Sequence, residues 1–252
     1  MALQVTSGYK ADLGWNKRIY AAAGGVLLDL TNSVGDAQIN SETETQTYSV
    51  YGSPNDKTVS TGTEYPLVIN TMYYTSVFEQ FAAWLEASTD FFWCEVVDVA
   101  TANDQFAQKG TFTLGLYGVE GVTIGAAPTD GLIEAGLTPT ALGESYEGVA
   151  YPFEATAAGA LSLGTVTDLL ATDQVWVVIA EVNGTSVSLT PSVGGTAATA
   201  VPIDATKGDI YALPKAAADN SGALAITLAS TGIGASSPVT GYVLVGRSVT
   251  TS

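Results

Sequence analysis

One stretch of the chain, residues 75–99 (TSVFEQFAAWLEASTDFFWCEVVDV), restricts the possible folds more than any other, because it reads as an amphipathic helix followed by a strand. Ser76 and Glu79 form a capping-box pair, in which each side chain can bond the backbone amide of the other at a helix start. Residues 88–90 (Ser-Thr-Asp) offer turn chemistry at the other end. The apolar side chains between these signals recur with helical spacing: Val77, Phe78, Phe81, Trp84 and Leu85. The pattern predicts a helix over about residues 76–87.

The remainder of the chain is patterned as strands separated by turn residues, so this single helix is expected to cover the apolar face of a sheet. Aromatic and β-branched residues dominate residues 91–99, which are predicted to form a strand directly after the helix. The predicted core residues of the helix are Phe78, Phe81, Trp84 and Leu85. The sequence therefore predicts a mainly β fold, a sandwich or barrel with one packed helix, followed by a C-terminal β-sandwich.

The composition excludes several classes of function. The net charge is −17, and no basic patch is present to neutralise phosphates, so we do not expect a protein that grips nucleic acid. The chain has no histidine, which removes Ser-His-Asp catalysis, His-ligated zinc and imidazole acid–base chemistry. Its acidic residues could supply a carboxylate pair for glycoside hydrolysis, but no pattern indicates which two would meet. We expect no enzymatic activity, no metal and no cofactor.

The single cysteine, Cys94, cannot form an intrachain disulfide, and its place in an aromatic strand predicts a small buried side chain. The first residues lack an apolar segment of signal-peptide length, and no stretch has the length and hydropathy of a membrane span. We therefore expect a protein that is made in the cytosol without a signal peptide and that does not contact a membrane.

Residues 36–51 form an unusual strand pattern, because polar side chains occupy both faces. Serines and threonines alternate along one face, whereas Glu42 and Glu44 lie on the other. A strand with so little to bury suits a sheet that has one face on water and the other on a partner subunit. Turn residues follow at 52–57 (GSPNDK), and residues 51–64 are predicted to be a long hairpin loop that projects from the body.

The two parts of the chain differ in charge, which predicts a domain boundary near residue 154. Residues 1–154 hold 19 acidic and 5 basic side chains, whereas residues 155–252 hold 6 and 3. The small residues Ala155–Ala160 are interpreted as a linker. Residues 118–143, which are dense in Gly, Pro and Thr, are interpreted as loop-like.

The second part contains a strong turn signal. Asn183-Gly184 predicts a type I′ hairpin that pairs residues 175–182 with residues 185–190. Further strands, separated by turn residues at the spacing of a β-sandwich, are predicted at 198–203, 210–213, 224–229 and 239–249.

Three segments carry a resemblance to a known family: residues 59–69 (VSTGTEYPLVI), residues 77–87 (VFEQFAAWLEA) and the strand that follows. A single helix between strands, preceded by a long polar hairpin loop after a Thr/Glu-rich strand, resembles the major tail protein that forms the tail tube of long-tailed bacteriophages. Members of that family commonly append a β-sandwich after the tube domain. The resemblance implies a tube-forming β domain with one helix over residues 1–154 and a C-terminal β-sandwich, Ig-like or decoration-like, over residues 155–252.

The resemblance also implies a virion structural protein, located in the tail, whose subunits close into hexameric rings that stack into a tube. Glu42 and Glu44 become candidates for the channel wall, where negative charge would repel passing DNA. The implied ring-stacking loop comprises Tyr51, Ser53, Pro54, Asn55, Asp56, Lys57 and Thr58. Implied partners are further copies of the chain, tail terminator and baseplate proteins, and DNA in transient, non-specific contact. The competing interpretation is a capsid decoration or receptor-binding β-sandwich protein on the virion surface.

Overall fold

The computed structural model of the chain describes residues 17–31, 34–39, 42–48, 57–64, 67–72, 75–97, 110–124, 134–143, 145–157, 159–166, 173–181, 187–193, 196–197, 201–203, 208–213, 222–230, 233, 235–236 and 238–249. These residues form a mainly β fold with one helix, α1 (Thr75–Glu86), as the sequence predicts.

The strands on either side of α1 and up to residue 141 are β1 (Lys17–Ala23), β2 (Val26–Asp29), β3 (Val34–Ile39), β4 (Glu42–Tyr48), β5 (Lys57–Glu64), β6 (Leu67–Met72), β7 (Phe91–Val97), β8 (Gly110–Ile124) and β9 (Glu134–Ala141). The remaining strands are β10 (Tyr146–Ala155), β11 (Gly159–Val166), β12 (Gln174–Glu181), β13 (Val187–Val193), β14 (Thr196–Ala197), β15 (Val201–Ile203), β16 (Asp209–Leu213), β17 (Gly222–Ser230) and β18 (Val239–Ser248).

The chain divides into two compact units, and each unit is assembled from separated segments. Unit 1 comprises residues 1–31, 92–114 and 146–248, and unit 2 comprises residues 32–91, 115–145 and 249–252. The division predicted at residue 154 does not separate these units, because β10 pairs along its whole length with β18. The predicted linker overlaps strands at both ends, since Ala155 ends β10 and Gly159 begins β11. A change of charge along the sequence carries no information about which distant strands pair.

Unit 1 contains a nearly closed barrel. Its strand order is β16-β12-β18-β10-β8-β7-β1-β2, and the two end strands, β2 and β16, approach each other. The backbone amide of Gly25, in the turn between β1 and β2, donates a hydrogen bond of 2.8 Å to the Asp209 carboxylate at the start of β16. The two glycines of that turn, Gly24 and Gly25, both have positive φ, as the tight hairpin turn requires.

The wall of the barrel is apolar on both sides at β12. Val175, Val177 and Ile179 lie on one side of the strand and Trp176 and Val178 on the other, and all five are at most 3% exposed. Because neither side meets water, the strand reads as a continuous apolar run and not as an alternating one. Residues that share a cluster with Trp176 and Val178 are Tyr20, Ala22, Cys94, Val96, Phe112, Leu114, Ala150, Ile210, Tyr242 and Leu244. The cluster on the other side adds Tyr151, Phe153, Ala155, Leu213, Val239, Val243 and Val245.

The hairpin predicted around Asn183-Gly184 is wrong. β12 is flanked on its two edges by β16 and β18, so no edge remains for β13. β13 pairs instead with β17 in a five-stranded sheet that also contains β11, β14 and β15. The turn residues themselves, 183 and 184, lie outside the described residues. The strands predicted near 198–203, 210–213, 224–229 and 239–249 are confirmed as β15 to β18.

Glycines permit the close strand contacts of the barrel. A Cβ atom at Gly241 of β18 would overlap the carbonyl oxygen of Val178, and one at Gly148 of β10 would overlap that of Val245. A side chain at either position would push neighbouring strands apart, which explains why glycine interrupts otherwise apolar strands here.

Unit 2 contains the helix, a sheet and a separate hairpin. The sheet pairs β3 with β6, β6 with β9, and β9 with residues 117–124 of β8. The prediction of a loop over residues 118–143 is therefore wrong for much of that range. Gly118 and Gly121 interrupt the side-chain pattern that would have indicated a strand, yet their backbone groups still pair with β9 across a register shift.

The helix ends in a Schellman motif, in which backbone amides beyond the last turn bond back to its free carbonyls. The Ser88 amide donates to the Leu85 carbonyl at 3.1 Å, and the Thr89 amide donates to the Trp84 carbonyl at 2.9 Å. Ser88 has a φ of 49°, the left-handed conformation that this motif requires. The predicted helix is confirmed, with both ends shifted by one residue.

Candidate functional site

The predicted channel residues Glu42 and Glu44 lie on a two-stranded antiparallel hairpin formed by β4 and β5. This hairpin is a sheet of its own, so the outer edge of each strand has no neighbouring strand among the residues that the structure describes. At about 3.4 Å per residue, the seven residues of β4 span roughly 24 Å. An isolated two-stranded hairpin is at best marginally stable in water. Within the described residues, β4 and β5 pair only with each other.

The backbone register of the hairpin opposes residues of similar type at several positions. Hydroxyl residues are opposed in three pairs: Thr43 with Thr63, Thr45 with Ser60, and Thr47 with Thr58. The other four pairs are Glu42 with Glu64, Glu44 with Gly62, Gln46 with Val59, and Tyr48 with Lys57. Pairs of hydroxyl residues thus alternate along the hairpin with pairs that include three glutamates and one lysine.

Glu64 and the hydroxyl residues of β5 were not singled out by the sequence. The available signal was the frequency of Thr and Ser in residues 58–63, which resembles that of β4. The register that places Glu64 opposite Glu42 depends on a bulge near Thr45, and a bulge is not visible in the sequence.

The hairpin loop predicted over residues 51–64 is shorter than the sequence indicated, because residues 57–64 form β5. Lys57 and Thr58 are the first residues of β5, where they pair with Tyr48 and Thr47, so assigning them to a loop is wrong. The other predicted loop residues, Tyr51, Ser53, Pro54, Asn55 and Asp56, lie outside the described residues. The segment that joins the two paired strands is limited to residues 49–56.

The predicted core residues of α1 face an aromatic cluster within unit 2. Phe81 and Trp84 are buried, whereas Phe78 and Leu85 are half-buried. The Phe81 ring meets the Phe91 ring edge to face, with centroids 5.4 Å apart, and the Trp84 ring stacks on Phe91 at 5.6 Å. Val77, which was not among the predicted core residues, is buried as well. Aromatic packing therefore holds the helix in place, and the role of these residues is structural.

Among the described residues of unit 1, two carboxylates are buried, and each has a cationic partner. The Glu95 carboxylate contacts the Lys17 ammonium at 2.6 Å and accepts a hydrogen bond of 3.0 Å from the Trp93 indole. The Asp173 carboxylate receives both Nε and Nη2 of Arg247, at 2.6 and 3.3 Å. Paired in this way, both charges are compensated where they are buried, and each pair joins two strands or strand ends of the barrel.

Burial raises the pKa of three further titratable groups. Burial raises the pKa of the Asp209 carboxyl, although hydrogen bonds from the Ile210 and Gly25 amides act in the opposite direction. Burial, helped by the nearby charge of Asp29, raises the pKa of Tyr20 to about 12. Burial likewise raises the pKa of the Cys94 thiol, which is fully enclosed and stays protonated at neutral pH.

The described residues contain no group of three or more Cys, Asp or Glu side chains arranged to hold a metal ion. The helix that they include is too short and too polar to cross a membrane.

Comparisons with known proteins add no identification. No model of a known protein family matches the chain, and a search of curated proteins finds no significant match. The functional argument therefore rests on the residues themselves, and above all on the β4–β5 hairpin.

Proposed function

We propose that this chain is a structural protein that assembles with copies of itself into stacked rings, as the tail tube protein of a long-tailed bacteriophage does. The observation that carries the proposal is the β4–β5 hairpin, which forms a sheet of two polar strands within the described residues. Such a hairpin gains stability when it packs against another surface, and a neighbouring subunit supplies one at every repeat of a helical assembly.

The charge of the chain is consistent with a conduit for DNA. With a net charge of −17 and three glutamates in the hairpin (Glu42, Glu44 and Glu64), an assembly would present negative charge wherever the hairpin lines a channel. A negative wall repels phosphates and keeps the DNA from binding during passage. The polar residues of the hairpin thereby acquire a function that a buried core strand could not serve.

The architecture of the two units fits a structural role. The residues that the sequence assigned to a helix core, Phe81 and Trp84, pack on Phe91, and the buried charges of unit 1 are paired within the barrel wall. In the finer version of the proposal, unit 2 supplies the tube contacts through its hairpin, while the five-stranded sheet of unit 1 takes the place of an appended sandwich.

The proposal is tested by the assembly state of the purified full-length chain. Negative-stain electron microscopy and sedimentation velocity over a range of protein concentrations should show six-fold rings or tubes. A decoration or receptor-binding protein would instead remain a monomer or trimer at every concentration. That result would overturn the tube proposal and favour the alternative.

A further inference from the structure

We propose that the barrel of unit 1 opens locally at the seam between β2 and β16, and that the Asp209 side chain is the latch that holds this seam shut. Such an opening admits solvent to the barrel interior while the other strands stay paired. The inference does not rest on the proposed assembly, because it concerns the barrel wall of a single chain.

The hydrogen bonding at the seam differs from that of the other junctions of the barrel. Each pair of neighbours in the strand order is joined by backbone hydrogen bonds, whereas the end strands β2 and β16 share no ladder in the described chain. The Asp209 carboxylate accepts instead from the Gly25 amide of the β1–β2 turn at 2.8 Å, and from the Ile210 amide of its own strand at 2.7 Å. A side-chain bond therefore stands where the other junctions have a row of backbone bonds.

The packing at the seam is also thin. Gly208, directly before β16, has no side chain, and a Cβ atom there would lie 3.0 Å from the Cβ atom of Leu27 on β2. Leu27 is only partly buried, and Asp29 at the end of β2 is exposed. At the junction of β12 with β18, by contrast, the ladder pairs Val177 with Val243, and both side chains are fully buried. Local opening begins where paired backbone and buried apolar surface are least, which here is the seam.

The single cysteine of the chain is a native reporter of such an opening. Cys94 lies on β7 opposite Tyr20 of β1, and β1 is the neighbour of β2. Its side chain is fully buried in a cluster that draws residues from β1, β7, β8, β10, β12, β16 and β18, and so it faces the barrel interior. A thiol reagent reaches it only when the barrel wall opens or the chain unfolds.

Two carboxylates of the barrel provide a matched test. The Asp173 carboxylate accepts from Arg247 at 2.6 Å, but the strands beside this pair, β12 and β18, also share a ladder. Asp209→Ala should speed the reaction of Cys94 with a maleimide reagent in the absence of denaturant by about tenfold or more, because the latch is lost. Asp173→Ala should speed the reaction by less than about twofold, although it also lowers the midpoint of urea denaturation, because the ladder remains.

The urea dependence of the labelling rate gives a second measurement, and it uses the wild-type chain. Opening of the seam exposes little surface, so the rate should hardly change at low urea concentrations. It should rise steeply only where global unfolding becomes the faster route to Cys94. In the Asp209→Ala variant, the rate at low urea concentrations should be the higher one.

Two results would overturn the proposal. In the first, Asp209→Ala and Asp173→Ala accelerate labelling only in proportion to their losses of global stability. In the second, the wild-type rate rises from zero urea with the full slope of global unfolding. Either result would mean that Cys94 is exposed only in the unfolded chain. Circular dichroism establishes that the variants are folded, and the wild-type measurement decides the matter even if Asp209→Ala does not fold.

Discussion

The Asp209 carboxylate and the Gly25 amide, 2.8 Å apart, join the two ends of the barrel in unit 1. The second carboxylate oxygen accepts from the Ile210 amide at 2.7 Å, so one side chain serves both sides of the seam. The end strands β2 and β16 are not neighbours in the hydrogen-bonded strand order of the described chain. At this seam the Asp209 side chain thus supplies hydrogen bonds, whereas backbone pairs supply them between the other neighbouring strands of the barrel.

Replacing Asp209 with Ala should lower the free energy of unfolding by about 1–3 kcal/mol, because two backbone amides lose their acceptor in a partly buried place. Urea denaturation followed by tryptophan fluorescence measures this change. Asp29→Ala is the matched control, since its exposed carboxylate also accepts from a backbone amide, that of Thr31 at 2.9 Å. The control should lose less than about 1 kcal/mol. Equal losses in the two variants would contradict a special role for the seam.

Tyr20 should make the protein sensitive to alkaline pH. Its phenol has a pKa of about 12 in the folded chain, against an ordinary value of 10.0, because burial opposes ionisation. The stabilisation is fully present below pH 10 and is lost as pH rises towards 12, because the unfolded chain ionises first. The full loss corresponds to about 2–3 kcal/mol. Urea titrations between pH 8 and 12 should show a weaker alkaline loss for Tyr20→Phe, and identical pH profiles would refute the assignment.

Phe81→Ala should destabilise the protein by roughly 3–5 kcal/mol, because the ring is 1% exposed and contacts both Trp84 and Phe91. Phe78→Ala removes the same side chain one turn earlier, where it is only half-buried, and should cost clearly less. Thermal and urea denaturation of the two variants provide the comparison. If Phe78→Ala lowered the free energy of unfolding as much as Phe81→Ala, the buried side of the helix would not be the one that carries Phe81.

Ser88→Gly should stabilise the protein by roughly 0.5–1 kcal/mol. Ser88 is exposed and has a φ of 49°, a conformation that glycine adopts without the steric penalty of a Cβ atom. The melting temperature should rise accordingly, whereas Ser88→Ala, which keeps the Cβ atom, should leave it nearly unchanged. A lower melting temperature for the glycine variant would mean that the serine side chain itself stabilises the helix end.

Shortening the hairpin should separate folding from assembly. The register pairs Tyr48 with Lys57, so residues 49–56 can be replaced by Asn-Gly, which closes such a pair with a two-residue turn. The variant should fold with an unchanged melting temperature but fail to elongate into tubes under the electron microscope. If the shortened chain still formed long tubes, residues 49–56 would not contribute to the contact between rings.

The helix is the part of the fold that the sequence determined most completely. A 3.6-residue apolar period and turn residues at its end are local signals, and they placed the helix within one residue at each end. The buried side was less well determined. Val77 lies deeper than Phe78 and Leu85, because the face of a helix that becomes buried depends on the aromatic cluster against which it packs.

Strand positions were also largely local information, whereas strand partners were not. β4 and β15 to β18 lie where alternation and turn residues predict strands, yet β12 pairs with β16 and β18 and not with β13. The local turn signal at Asn183-Gly184 favours pairing of β12 with β13. Burial of both faces of the apolar strand β12 favours a place inside the barrel, and this burial decides the pairing. The charge difference on either side of residue 154 likewise did not reveal the pairing of β10 with β18, because strand pairing depends on tertiary packing and not on local charge.

The same distinction between local and tertiary information applies to the candidate site. The sequence determined that β4 is polar, that its hydroxyl and acidic residues alternate, and that Glu42 and Glu44 share a face, because these properties follow from a period of two. Only the tertiary structure decided that β5 is its partner, that Glu64 stands opposite Glu42, and that the two strands form a separate hairpin. Any backbone can supply ladder hydrogen bonds to any other, so the choice of partner is made by the packing of the whole chain and not by the strand itself.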